Sequence, residues 1–223
     1  MKKIAAFITG LFLCAGLFAQ SDEFKKFCLE NAKSKMVRGD FELVQYNEKK
    51  KDAKRKSEGN FTLSVEDGII WFTKKPVEVT QVMTDTKISQ YVRGKKKVID
   101  GKDNPTFLSI AKITASLFSG DYDEIEKNFE IEVFAVDYCY ESGREDFEVE
   151  LTPKKDSAVS SYIKKIQLII CFEDKNQNDK DIKACYISEL TIADAAGNVS
   201  SYTLKGQKEI DNLTSDEQKY FKE

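Results

Sequence analysis

Residues 59–76 read Gly59-Asn-Phe-Thr-Leu-Ser-Val-Glu-Asp-Gly-Ile-Ile-Trp-Phe-Thr-Lys-Lys-Pro76, and the order of apolar and polar side chains in this run decides the fold class. Phe61, Leu63 and Val65 alternate with Thr62 and Ser64, the period of a strand with one wet and one dry face. Glu66-Asp67-Gly68 supplies a tight turn, so the spacing predicts a β-hairpin. Its return strand, Ile69-Ile70-Trp71-Phe72, is apolar on both faces and has to be covered on both. Pro76 has no N–H to donate and ends the ladder.

Working outward, Ser21 reads as an N-cap, with Phe24, Phe27 and Cys28 making an apolar stripe on a helix that runs toward Met36. Phe41–Tyr46 reads as the first strand and residues 47–58 as a lysine-rich connector. Strands over 77–84 and 87–93 continue an antiparallel meander, and 94–103 reads as a loop. Asn104-Pro105 opens a helix that Gly120 closes. Its apolar residues, among them Phe107, Ile110, Ile113, Leu117 and Phe118, cover far more than a narrow stripe, so the helix either packs into the core or faces a cavity. Strands over 129–140, 147–151, 163–172, 182–192 and 199–204 complete the pattern, with a short helical turn at 156–161. The fold class expected from this pattern is mainly β (α+β): a curled antiparallel sheet or unclosed β-barrel with helices across its opening.

The order glycine-led strand, tight turn, tryptophan strand and proline resembles the LolA family, the periplasmic carriers of outer-membrane lipoproteins. Gly39-Asp40-Phe41 ahead of it, Asp194…Gly197-Asn198 before a late strand, and an ending near Phe221 agree with that resemblance. The resemblance implies an unclosed β-barrel with helices forming a lid over a hydrophobic cavity that holds acyl chains. It also implies an inner-membrane ABC-type lipoprotein-releasing complex that loads the carrier and an outer-membrane acceptor that unloads it. Typical carriers have an arginine just before the tryptophan, where this chain has Ile70, and a glutamine two residues after the early phenylalanine, where it has Leu43. Ile70 thus occupies the lid-latch position without the hydrogen bonds an arginine would make.

The N-terminus shows the three parts of a secretory signal: Lys2-Lys3, an apolar stretch from Ile4, and Leu17-Phe18-Ala19. Cleavage is expected after Ala19, with 20–223 as one carrier domain in the periplasm. Cys14 follows the bulky Leu13, which argues against lipidation there. Removing 1–19 takes the net charge from −3 to −5. So acidic a product argues against nucleic acid as a partner.

The chain has no histidine, which removes the commonest general base and the usual zinc ligand together. No C-x-x-C pair or recognisable carboxylate spacing replaces it, so no catalytic residue, metal or cofactor is expected. Cys171 and Cys185 flank the 174–181 connector; a cross-strand disulfide and free half-buried thiols are both open. The candidate cavity residues are Phe41, Phe61, Leu63, Trp71, Phe72, Val79, Met83, Phe107, Ile110, Phe134 and Leu168. Apolar patterning alone does not separate a packed core from a hollow one. Two lysine clusters, Lys49-Lys50-Lys51 with Lys54-Arg55-Lys56, and Lys95-Lys96-Lys97, either touch anionic headgroups or discourage edge pairing. The reading is therefore a non-enzymatic, monomeric carrier of lipoproteins or a related lipid. Its rival is a β-rich interaction or envelope-stress module with a solid core.

Overall fold

The computed structural model describes residues 22, 24–30, 35–84, 86–100, 105–139, 144–174 and 183–222. It contains one eleven-stranded sheet, antiparallel at every pairing, in the order β6-β5-β4-β3-β2-β1-β11-β10-β9-β8-β7. The first meander comprises β1 (Met36–Asn47), β2 (Lys50–Ser64), β3 (Gly68–Lys75), β4 (Val79–Met83), β5 (Lys87–Val92) and β6 (Lys95–Asp100). The second comprises β7 (Phe129–Cys139), β8 (Arg144–Pro153), β9 (Ile163–Asp174), β10 (Lys183–Asp194) and β11 (Asn198–Glu209). Pairing of β1 with β11 welds the two meanders together, and β6 and β7 stay at the edges. The sheet is curled and not closed, as the alternating strands imply.

Helices close over one face of this sheet, the inner face. The chain passes from edge β6 to edge β7 through α2 (Pro105–Ser119) and α3 (Tyr122–Asn128). Asp22 and residues 24–30 form the described part of α1. Phe24 and Phe27 of α1, Ile113, Leu117 and Phe118 of α2 and Ile125 of α3 join inward residues of the strands in one core. Register shows which strand residues point inward: Phe41 pairs with Leu204, Phe61 with Trp71, Trp71 with Gln81, and Ile69 with Met83. Among the described residues no helix is long and apolar enough to cross a membrane.

The tryptophan hairpin forms as its sequence predicts, with β2 and β3 joined through residues 65–67. Two of its glycines are required by space. Gly68 has φ 120°, and a Cβ there would lie 2.1 Å from the Met83 carbonyl oxygen. A Cβ on Gly59, beside a register shift, would lie 1.9 Å from that of Phe72. Both values are well inside van der Waals contact, so only glycine lets these strands approach.

Four expectations change. The lysine-rich 47–58 run is mostly strand, its ladder with β1 continuing to the Asn47–Lys50 pair, and the turn is residues 48–49. Residues 95–100 form edge strand β6 where a loop was expected. Both strands are held by backbone bonds, which need no apolar alternation. Met36 belongs to β1, not to the first helix. Finally, α3 and the C-terminal α4 (Ser215–Lys222) are additional helices.

The two sides of β3 are covered by different things, which answers the doubly apolar Ile69–Phe72 run. Ile69 and Trp71 face the inner core. Ile70, fully buried, pairs with Thr62 and Val82 on the outer face, where α4 lies. Phe72 meets Tyr220 of α4 edge-on at 5.8 Å, as Tyr91 does at 5.1 Å. Glu217 pins α4 there. It accepts from Arg38 Nη2 at 2.7 Å and from Thr62 Oγ1 at 2.6 Å, and also from the Thr214 backbone N–H at 2.7 Å. Thr214 and Glu217 thus form a capping box, with the Glu217 N–H donating back to Thr214 Oγ1 at 3.3 Å. Burial alone would raise the Glu217 carboxyl, but bonds from Thr62, Thr214 and Arg38 outweigh it and hold its pKa at about 2.

Candidate functional site

An aromatic cluster is the floor of the candidate site. Trp71 sits 5.1 Å from Phe41, 5.4 Å from Phe61, 5.0 Å from Tyr202 and 6.5 Å from Phe118, centroid to centroid. These spacings suit tilted and edge-on packing, which adds to the area each ring buries. The strands contribute these rings because Phe41, Phe61, Trp71 and Tyr202 occupy inward positions on β1, β2, β3 and β11, neighbours in the sheet.

Beside the cluster lies a cleft of about 250 Å³. Its apolar wall is formed by Phe41, Leu43, Trp71, Met83, Ile88, Leu190, Ile192 and Tyr202, with Thr114 of α2 across from them. Thr73, Gln81, Asp194, Asn198 and Ser200 line the remainder. Asp194 and Asn198 belong to the β10–β11 turn, where the Asn198 backbone and side-chain N–H groups each donate to the Asp194 carboxylate at 2.8 Å. The cleft is therefore apolar along its wall and polar toward this turn. Desolvation pushes the Tyr202 hydroxyl up to about 12, so it stays protonated. Such a wall offers hydrocarbon surface against which an apolar group can be buried.

A larger cleft, about 510 Å³, lies where β10 and β11 part company, lined by Tyr186, Ser188, Glu189, Lys205 and Gln207 among others. Gln207 Nε2 donates to the Ile187 carbonyl at 2.6 Å there. Its polar lining makes the smaller cleft the better candidate for an apolar ligand, despite the difference in size.

The sequence-predicted cavity residues divide into groups. Phe41, Trp71 and Met83 line the cleft. Phe61 and Leu63 are packed beneath it in the core, and Leu168, also fully buried, pairs with the cleft residue Leu190. Val79 is half-buried, its register partner being Thr73. Phe107 and Ile110 belong to α2, but their side chains lie outside the described residues. Phe72 and Phe134 are corrections. Phe72 points outward under α4, because it is an even step from Ile70 rather than from Trp71. Phe134 pairs with Glu148 on the outer face and is 43% exposed. Ile70, the latch position, also faces away from the cleft, on the outer face of β3.

Of the two readings left open for Cys171 and Cys185, the register favours separate thiols. Cys171 pairs with Tyr186 and Cys185 with Phe172. Adjacent positions in a strand point to opposite faces, so the two sulfurs lie on opposite sides of the sheet and no disulfide joins them. The buried thiol of Cys28 is raised to about 12 by desolvation.

Leu43, Ile88, Leu190, Ile192 and Tyr202 are the cleft residues that sequence reasoning missed. Alternation within β10 and β11 marks the last three as one-faced. Only the pairing of β11 with β1 brings them against Phe41 and Trp71.

No protein-family model and no curated relative matches the chain. Solved structures similar to it include a domain described as an outer membrane lipoprotein-sorting protein from Vibrio parahaemolyticus, at 10% identity and TM-score 0.43, covering 91% of this chain and 99% of that one. A DUF1329 family protein from Desulfovibrio piger is similar at 9% identity and TM-score 0.48, covering 91% and 97%. A LolA superfamily protein from Nitrosomonas europaea is similar at 12% identity and TM-score 0.42, covering 86% and 98%. On its own coordinates the chain has the open, curled sheet with helices across it that the LolA resemblance implies, and a LolA-superfamily structure is among those it is similar to.

Proposed function

We propose that this protein is a periplasmic carrier that shelters an acyl chain of a lipoprotein, or of a related lipid, in the cleft between the inner face of the sheet and α2. The observation that carries this reading is the apolar wall from Phe41 to Tyr202, which borders a cleft that is polar toward the β10–β11 turn. Each methylene moved from water to such a wall contributes about 0.8 kcal/mol, so holding is tight but indifferent to chain identity. At about 250 Å³ the cleft falls just below the ~300–1,000 Å³ usual for ligand pockets, so a full chain would require α2 to shift. Loading and unloading partners would be the inner-membrane releasing complex and the outer-membrane acceptor that the LolA resemblance implies. Binding, not catalysis, is the activity proposed.

A fluorescent fatty acid tests the reading. Wild-type protein is expected to bind it and shield it from water, and Ile192→Glu is expected to abolish binding with the cooperative melt retained. Ile192 lines the cleft and is only half-buried. A carboxylate there faces hydrocarbon cargo when loaded and water when empty. No probe binding by the wild type, with no acylated species in mass spectra of protein extracted from its native compartment, would favour the solid-core interaction module instead.

A further inference from the structure

The polar end of the cleft coincides with a concentration of positive charge on a chain of net charge −3. Thr73, Gln81, Asn198 and Ser200, which line that end, lie close in sequence to the β3–β4 and β10–β11 turns. The β1–β2 and β5–β6 turns are at the same end of the sheet, since successive antiparallel strands share their turns alternately between two ends. On the β1–β2 hairpin Lys49, Lys50, Lys54 and Arg55 are exposed. On β5–β6 so are Arg93, Lys95 and Lys96, and on β3–β4, Lys74 and Lys75. Exposed acids nearby are fewer. They are Glu78 of the β3–β4 turn, Glu48, paired with Lys164 at 3.1 Å, and Glu58, paired with Lys75 at 2.7 Å. Val77, in the β3–β4 turn between Pro76 and Glu78, is 42% exposed, an apolar tip at the same end.

The geometry points to this end of the sheet as a docking surface for a membrane with anionic headgroups, set so that the cleft mouth faces the bilayer. Three separate hairpins present cations in one direction, and a planar anionic surface is the partner that engages all three together. Val77 enters the headgroup layer as an apolar tip, with the cations of the neighbouring hairpins on the headgroups around it. Docking adds a partner to the proposed carrier, but the charges do not line the cleft, so the two readings are tested apart.

The experiment is flotation of the full chain with vesicles of phosphatidylcholine, alone or with about a third phosphatidylglycerol, at low and high salt. Binding is expected only to the anionic vesicles. It is expected to disappear near 1 M salt, where the Debye length falls to about 3 Å. Each cation at the surface is worth roughly fivefold in affinity, so Lys49→Glu/Lys50→Glu combined with Lys95→Glu/Lys96→Glu is expected to lower it by more than about a hundredfold. The same variant is expected to keep its melt and its fatty-acid probe binding. Anionic-vesicle binding without probe binding would leave the docking surface standing and defeat the carrier. Equal binding to neutral vesicles, or undiminished binding by the reversed variant, would overturn the docking proposal. So would no binding by the wild type, which would point to an acidic protein surface as the partner.

Discussion

Replacing Glu217 by glutamine keeps the shape of the side chain and removes its charge, which isolates the clamp that holds α4 on the back of the tryptophan hairpin. Two routes give its magnitude. The carboxyl is held at about 2, against an ordinary value near 4.5; at about 1.4 kcal/mol per unit, that preference for the ionised form is worth roughly 3 kcal/mol. Breaking a buried ion pair by removing one partner costs about 3–5 kcal/mol, and the lower end applies because the Arg38 side chain is 36% exposed. A loss of roughly 2–3 kcal/mol in urea unfolding at neutral pH is therefore expected. The pH dependence gives a second readout. Because the folded carboxyl titrates below the unfolded one, its stabilisation is complete above about pH 4.5 and disappears as pH falls toward 2. Wild type is expected to lose that increment over this window, and Glu217→Gln, which no longer titrates there, to lose correspondingly less. A variant within about 0.5 kcal/mol of wild type, or one with the same pH slope between 4.5 and 2, would refute the clamp.

Three further outcomes follow from where the other residues point. Ile70→Arg forces a larger, charged side chain into a fully buried apolar position beneath α4, where it competes with Arg38 for Glu217, and is expected to cost about 3 kcal/mol or more in thermal or urea unfolding, with no separate effect on cargo release; a stable variant with slowed release would restore the latch reading. Phe134→Ala is expected to change stability by less than about 0.5 kcal/mol and probe affinity not at all, since the ring is 43% exposed on the outer face. A drop in affinity would mean that the second meander folds over its outer side on binding. Amide exchange is expected to slow in α2 on probe binding and to stay unchanged along β2 and β3; protection confined to β2 and β3 would show that the sheet, not the helix, yields.

The tryptophan hairpin, the end of its ladder before Pro76 and the helix from Pro105 to Ser119 were all legible because each rests on a local signal: alternation, turn chemistry, or a proline at the first helical position. Strand β6, with its three lysines, and the outer half of β2 were not, because an edge ladder is held by backbone groups whatever the side chains are. Helix α4 lacks an apolar stripe, yet Thr214 followed three residues later by Glu217 is a capping-box signature that marked its start. The cleft divides in the same way. Phe41 and Trp71 stood out as large inward residues, whereas Tyr202 and Ile192 required knowing that the last strand pairs with the first. The misplacement of Phe72 came from a run apolar on both faces, where composition cannot tell the inner face from the outer.

The arrangement of covers also decides which wall of the cleft can move. Strand β3 is held from inside by the rings around Trp71 and from outside by α4, whose Tyr220 packs on Phe72. Its ladder with β2 leaves no slack, because the Phe72 carbonyl oxygen occupies the space a Cβ on Gly59 would need. Spreading the sheet here would break backbone bonds and the Glu217 network together. Helix α2 is held differently: Ile113, Leu117 and Phe118 anchor its second half by apolar contact, and Phe118 stands 6.0 Å from Phe61 and 6.5 Å from Trp71. Apolar contacts are non-directional, and an acyl chain entering between Thr114 and the Trp71 wall replaces some of them with its own. Widening the cleft by tilting α2 thus exchanges one hydrocarbon contact for another, whereas widening it through β2 and β3 loses hydrogen bonds that no lipid tail can restore.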